Sequence, residues 1–299
     1  MAAQKKTISK LFSYGYGLGE FGFTFFNFLV AYYLMYYLTD VLCLPMLTAA
    51  AIYSAVQWVE VATMLASGIV IDKAQLKGGK YRPWIIMGSV VCAVSTIIFF
   101  TDFHLSKTFS AIIFTIAYFC CYCGYNTMWV AYRALLNPLC KSAKDSVVIT
   151  TSASQMSSIA GLVFSAVGAK LLNGFANIHT GYTISAIAYG CLMVVCMLIV
   201  AHLVKPYDRA APDQNAHKVT MKELFRGINR NTIVFFLAVT FREAVQTIFP
   251  TLLVYYFTYT MGHPEWMSVY ITTITITTLV GYSFADKLAV RFGKRTMFL

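Results

Sequence analysis

The sequence predicts an all-α membrane protein. It reads as a six-helix N-terminal bundle (residues 1–204), a linker (205–231) and the start of a second bundle (232–299), about eight transmembrane helices in this chain. Two observations lead there. The 299 residues are 59% hydrophobic and 12% charged, whereas a soluble domain carries about a quarter charged residues. The apolar residues also fall into eight long runs, and a helix needs about 20 of them to cross a bilayer.

The first run, 22–38, follows a basic, polar segment and is too long and too aromatic for a cleavable signal. Tyr32, Tyr33, Tyr36 and Tyr37 crowd its far end, where an interfacial aromatic belt is expected. The second run, 48–71, carries Glu60 near its middle. A basic turn follows, Asp72-Lys-Ala-Gln-Leu-Lys-Gly-Gly-Lys-Tyr-Arg-Pro-Trp84, and the third run is 84–103. The fourth, 109–131, holds Cys120, Cys121 and Cys123 without accompanying His or acid ligands. They read as small packing residues, with no metal expected.

The fifth and sixth runs are 147–172 and 182–204. In the linker, Val219, Leu224, Phe225 and Ile228 share one helical face and Lys222 and Arg226 the other. This is the pattern of an amphipathic helix at the membrane surface; a solvated linker with a short helix is the alternative. The seventh run, 232–259, carries Arg242 and Glu243, and the eighth is 267–284. A second basic turn, 281–295, matches the first in type. Two related turns imply two related halves, as in many secondary transporters. A six-plus-six plan would need four more spans, so the chain is expected to be either a fragment or a shortened protein.

The net charge of +11 reflects topology rather than a polyanionic partner. Of 23 Lys and Arg, 20 lie in the N-terminal segment and alternate loops. Basic loops stay in the cytoplasm, so an N-terminus inside the cell (inner) membrane is expected, with the lipid bilayer and a small molecule as partners and no nucleic acid. No nucleophile elbow, His-Glu metal motif or phosphate loop is present, which argues against an enzyme.

Ionisable residues inside spans are costly and usually face a cavity or a partner. Glu60 is too deep to reach the headgroups, which makes it a candidate proton carrier; a hydrogen-bonded packing residue is the alternative. Gln57 and Thr63, at i−3 and i+3, share its face. Glu20 sits near the entrance of the first span. Trp129 and Arg133, four apart, share a face of the fourth and can form a cation–π pair; Arg133 can otherwise snorkel to the headgroups. Arg242 lies about ten residues into its span and needs an anion. Adjacent residues diverge on a helix, so a partner on another helix is expected before Glu243.

Five segments stand out together: Ser13-Tyr-Gly-Tyr-Gly-Leu-Gly-Glu20, Tyr33-Leu-Met-Tyr-Tyr-Leu-Thr-Asp40, Gly79-Lys-Tyr-Arg-Pro-Trp84, Tyr132-Arg-Ala-Leu135 with Pro138, and Val254-Tyr-Tyr-Phe-Thr-Tyr259. In their order and spacing they resemble the glycoside–pentoside–hexuronide:cation symporters of the major facilitator superfamily. The resemblance covers nearly the whole chain. It implies the superfamily's helical-bundle fold, alternating access and a central cavity for substrate and cation. Trp58, Tyr125, Trp129 and Tyr132 lie on spans that line that cavity in the family.

Two departures from the family bear on chemistry. Its sugar carriers hold two acids four residues apart on the second helix; here Glu60 matches the first and Met64 falls on the second. A lone carboxylate beside a thioether is a poor sodium cage, so a proton is favoured as coupling ion and no cofactor is expected. On the fourth helix, Trp129 stands where the family has an acid and Arg133 where it has a Trp. An acid lost and an Arg gained points toward an anionic group on the substrate.

The expectation is therefore a secondary active transporter, proton-coupled, for a glycoside, uronide or other small organic anion. Glu60, Glu20 and Thr63 would serve coupling, and Trp129, Arg133, Arg242, Trp58, Tyr125 and Gln57 would meet the substrate. A lipid or steroid transporter of the same fold, or a non-transporting truncated membrane protein, remain as alternatives.

Overall fold

The computed structural model describes residues 9–74, 76, 78–103, 106–140, 142–208 and 229–292. Among the described residues eight long helices carry the fold: α1 (Lys10–Tyr36), α2 (Met46–Lys73), α3 (Arg82–Phe99), α4 (Lys107–Ala134), α5 (Ala143–Val163), α6 (Ile178–Leu203), α7 (Arg230–Tyr255) and α8 (Trp266–Phe292). π-helical turns extend α1 over Tyr37–Val41, α5 over Phe164–Gly168 and α7 over Tyr256–Thr260. No strand occurs among the described residues. The first seven helices are long and apolar enough to cross a membrane; in α8 the apolar stretch is the shorter Trp266–Gly281.

Small residues set the packing. Water offers no driving force between helices inside a bilayer, so close backbone approach and dispersion take its place. α3 and α4 meet through Gly88 and Gly124, where a Cβ on Gly88 would lie 2.6 Å from the Gly124 carbonyl oxygen. Gly17 lets α1 approach α5 at Ala153, and Gly22 lets it approach α6 at Met193 and Cys196. α1 is thus enclosed by α5 and α6, and α7 packs along its Asp40 end, where Thr251 Oγ1 donates to the Ala31 carbonyl at 3.1 Å. α8 joins α5, with Thr275 against Gly161 and Thr272 Oγ1 donating to Ser165 Oγ at 2.8 Å.

The loop between α2 and α3 is held by Asp208. Its buried carboxylate accepts the backbone N–H of Tyr81 at 2.9 Å and of Arg82 at 3.0 Å, satisfying donors that the start of α3 leaves open. Arg82 then reaches across to the Ala201 carbonyl of α6, Nε to O 2.5 Å. Lys80 lies 2.9 Å from Asp72. Burial is the largest single influence and works against its charge, but the hydrogen bond it donates to Asp72, together with the neighbouring Asp72 and Tyr81 groups, holds the Lys80 pKa above its ordinary value.

Several sequence expectations are corrected. α1 starts at Lys10 rather than near residue 22, because Ser13, Tyr16, Gly17, Gly19 and Glu20 are buried against neighbouring helices and need not be apolar. α3 ends at Phe99, short of residue 103, and its chain turns where Phe100 N–H bonds the Thr96 carbonyl. Tyr32, Tyr33 and Tyr37 do not form a surface belt; all are buried, Tyr37 tilted against Phe100 and Tyr182 at 5.0 and 4.9 Å. The second basic turn is helical as far as Phe292, since 281–292 contains no proline and a single Gly is tolerated within a helix. The amphipathic segment 219–228 lies outside the described residues, as do 293–299.

Candidate functional site

The site grows from one face of α2. Tyr53, Gln57 and Glu60 are spaced i, i+4, i+7 and so lie on one side of the helix. All three line a cavity of about 670 Å³. α1 contributes Phe26, Asn27, Val30, Ala31 and Leu34; α4 adds Tyr122 and Tyr125; α7 adds Glu243, Gln246 and Pro250; α8 adds Tyr270. Pro250 has no N–H to give the carbonyl four residues back. That carbonyl belongs to Gln246, which faces the same cavity.

The α2 backbone at Glu60 is fixed from α4. Asn126, 2% exposed, donates through Nδ2 to the Glu60 carbonyl at 3.0 Å and to Thr63 Oγ1 at 2.8 Å. Thr63 Oγ1 also donates to the Glu60 carbonyl at 3.1 Å. Thr63 therefore braces the turn that carries Glu60; its bond goes to the backbone, not the carboxylate.

A second cavity of about 370 Å³ lies beyond the first, and the two share Phe28, Tyr32 and Ile274 as walls. It holds Glu20 and Arg133 among hydroxyls: Thr150, Ser154, Ser157 and Ser158 of α5, with Thr275 and Thr278 of α8. Arg133 Nη2 lies 2.9 Å from Glu20 Oε1, the Arg133 side chain being 46% exposed and that of Glu20 10%. The Arg133 guanidinium also sits 4.4 Å from the centre of the Trp129 ring. Trp129 is wedged against Phe23 at 4.5 Å and stacks near Tyr132 and Tyr125. Tyr132 stacks in turn on Tyr16, and each hydroxyl donates to the other's backbone carbonyl.

The sequence-named residues divide accordingly. Glu60, Gln57 and Tyr125 meet in the first cavity, and Glu20 and Arg133 in the second. Trp129 lines neither and reaches a solute only through Arg133. Trp58 is 80% exposed on the opposite face of α2, so it leaves the set. Arg242 is also outside both cavities, its side chain 66% exposed, and it pairs with adjacent Glu243 at 3.2 Å. The expected partner on another helix is replaced by this neighbour, whose carboxylate lies within reach of the long, flexible Arg side chain. Asn126, Tyr53, Tyr122 and Gln246 were missed, and Glu243 was noticed only as a neighbour of Arg242. The seven-residue spacing of Tyr53 and Glu60, and a proline inside an apolar span, were the available signals. Among the described residues no group of three His, Cys, Asp or Glu is placed to hold a metal.

A bundle of apolar helices around a polar, carboxylate-bearing cavity defines a multi-pass integral membrane protein. The family model described as MFS/sugar transport protein matches residues 15–299, and the chain belongs to that family. Among curated relatives, it is 28% identical to the uncharacterized symporter YjmB of Bacillus subtilis over 97% of this chain and 64% of that one. It is 22% identical to the isoprimeverose transporter of Lactiplantibacillus pentosus, over 96% of this chain and 60% of that one. The lactose permease of Leuconostoc lactis is 23% identical over 90% of this chain and 45% of that one. The chain thus spans less than two thirds of the length of these relatives.

Proposed function

We propose that this chain is the solute- and ion-handling part of a secondary transporter for sugar-type molecules, coupled to protons through Glu60. One observation carries the reading: two carboxylates (Glu60 and Glu243), amides and tyrosines from α1, α2, α4, α7 and α8 converge on one cavity inside a membrane bundle. Tyrosine faces suit the apolar face of a sugar ring, and the amides and hydroxyls suit its polar edge. The sugar transporters among the relatives support the same class. Glu60 stands without a second carboxylate one turn away, where Met64 points outward instead, so a proton fits this position better than a hard cation. The basic loops support a cell-membrane location with the N-terminus inside.

The ion pair in the second cavity changes the expectation about charge. Arg133 is balanced by Glu20 and covered by Trp129. The chamber therefore suits a neutral hydroxylated solute, and a uronide comes second. Its hydroxyl lining also speaks against a lipid or steroid cargo. Binding of labelled disaccharides, glycosides and glucuronate to the intact purified protein tests this. Displacement of a bound sugar by neutral glycosides is expected; displacement by sterols or lysolipids alone would overturn it.

A further inference from the structure

Beyond the end of the Glu60 cavity lined by Met35 and Thr251, the π-helical extension of α1 and the end of α7 meet in a polar contact that has no part in the chemistry above. Thr39 Oγ1 and the Tyr255 hydroxyl are 2.8 Å apart. Asp40 accepts from Thr39 through one carboxylate oxygen and from the Tyr259 hydroxyl through the other. Tyr255 and Tyr259 stack at 6.3 Å, and Tyr36 meets Tyr255 edge-on at 6.1 Å. Both partners lie on or beside π-helical turns, Tyr37–Val41 and Tyr256–Thr260. Wide turns of this kind are rare and occur frequently at functional sites.

The placement suggests a closure rather than packing. Met35, one turn below Thr39, lines the cavity, as does Thr251, one turn below Tyr255. The bonds are few, polar and partly exposed, unlike the apolar core beside them, where Tyr37 and Leu38 are fully buried. A contact of three hydroxyls and one carboxylate can exchange its partners for water at little net cost. An apolar seam of the same area could not.

We propose that Thr39, Asp40, Tyr255 and Tyr259 form a releasable latch: joined, they close the Asp40 end of the cavity, and a solute passes that end only when they part. The latch gains its meaning from the transport reading, but its test does not depend on cargo. Met35→Cys in a Cys43→Ser background places a thiol just beneath the contact. The intact protein, in membrane vesicles of each orientation, is treated with a membrane-impermeant maleimide. Adding Asp40→Asn and Tyr259→Phe should speed labelling roughly tenfold or more from one side only. Labelling within twofold of the unaltered latch would overturn the proposal.

A second arm covers variants that fail to insert. Asp40→Cys and Tyr259→Cys are joined by a short, reducible bis-methanethiosulfonate cross-linker. Labelling of the Met35→Cys thiol from that side should fall with the link and return with reductant, and so should sugar uptake. Unchanged labelling with the link formed would overturn the latch. Normal labelling control without any sugar uptake would leave the latch standing and count against the transport reading instead.

Discussion

Arg133 and Glu20 form an ion pair of 2.9 Å between α4 and α1, and the Trp129 ring covers the guanidinium. The partners are unequally placed: Glu20 is nearly buried, while Arg133 keeps contact with a hydroxyl-lined cavity. Removing the cation therefore strands a buried carboxylate. Removing the carboxylate leaves a cation that still has an aromatic face and room for water. We expect Arg133→Gln to destabilise the protein by about 1–3 kcal/mol and Glu20→Gln by clearly less. The double variant should recover part of the loss. Thermal unfolding in detergent orders the three.

The start of α3 offers a sharper case. Asp208 accepts two backbone N–H groups there, and Gly79 sits beside it with a φ of +131°. That backbone conformation is open to glycine and strained for other residues. A Cβ at Gly79 would also collide with the Asp208 carboxylate. Gly79→Ala should lower the melting temperature by at least as much as Asp208→Ala, and their effects should not add, because both break one contact. Additive losses would show the two sites to be independent.

Asn126 braces Glu60 without touching its carboxylate. Asn126→Leu keeps the size but leaves the Thr63 hydroxyl and the Glu60 carbonyl with one partner fewer. A loss of about 1–3 kcal/mol is expected. If Asn126 matters only for packing, sugar affinity in the folded fraction stays unchanged. If it positions Glu60, the pH dependence of uptake shifts as well, and Asn126→Gln restores part of it.

Gly88 and Gly124 bring α3 and α4 into backbone contact. Gly124→Ala would put a methyl group 2.6 Å from the Cys92 nitrogen. Membrane helices depend on such approaches, and overpacking costs about 1–3 kcal/mol. Yield of folded protein and melting temperature should both fall, whereas Gly281→Ala, with open space around it, should change neither.

The helices were legible because span length and apolarity are local properties. Glu60 was legible for a similar reason: depth in a span marks a carboxylate as special. Its face was legible too, and it should have excluded Trp58, which lies two residues away and so about 200° around the helix. Glu20 and Arg133 were both singled out, but their pairing was not, since 113 positions separate them and only the bundle brings them together. The burial of Tyr32, Tyr33 and Tyr37 escaped because an aromatic cluster at a span end has the same composition in a belt and in a core. Arg242 was misjudged because helix geometry fixes where Cβ points, not how far a long, flexible Arg chain reaches.

Proton-driven sugar uptake by the intact protein in liposomes, with native Glu60 and with Glu60→Gln, is the most direct measurement. With native Glu60, an imposed inward proton gradient should accumulate sugar, and collapsing the gradient should stop accumulation. With Glu60→Gln, exchange of sugar for sugar should persist while gradient-driven accumulation disappears, because the solute cavity is intact and the proton carrier is gone. Unaltered accumulation by the Glu60→Gln protein, with the same dependence on pH, would contradict the assignment of Glu60 as the coupling residue.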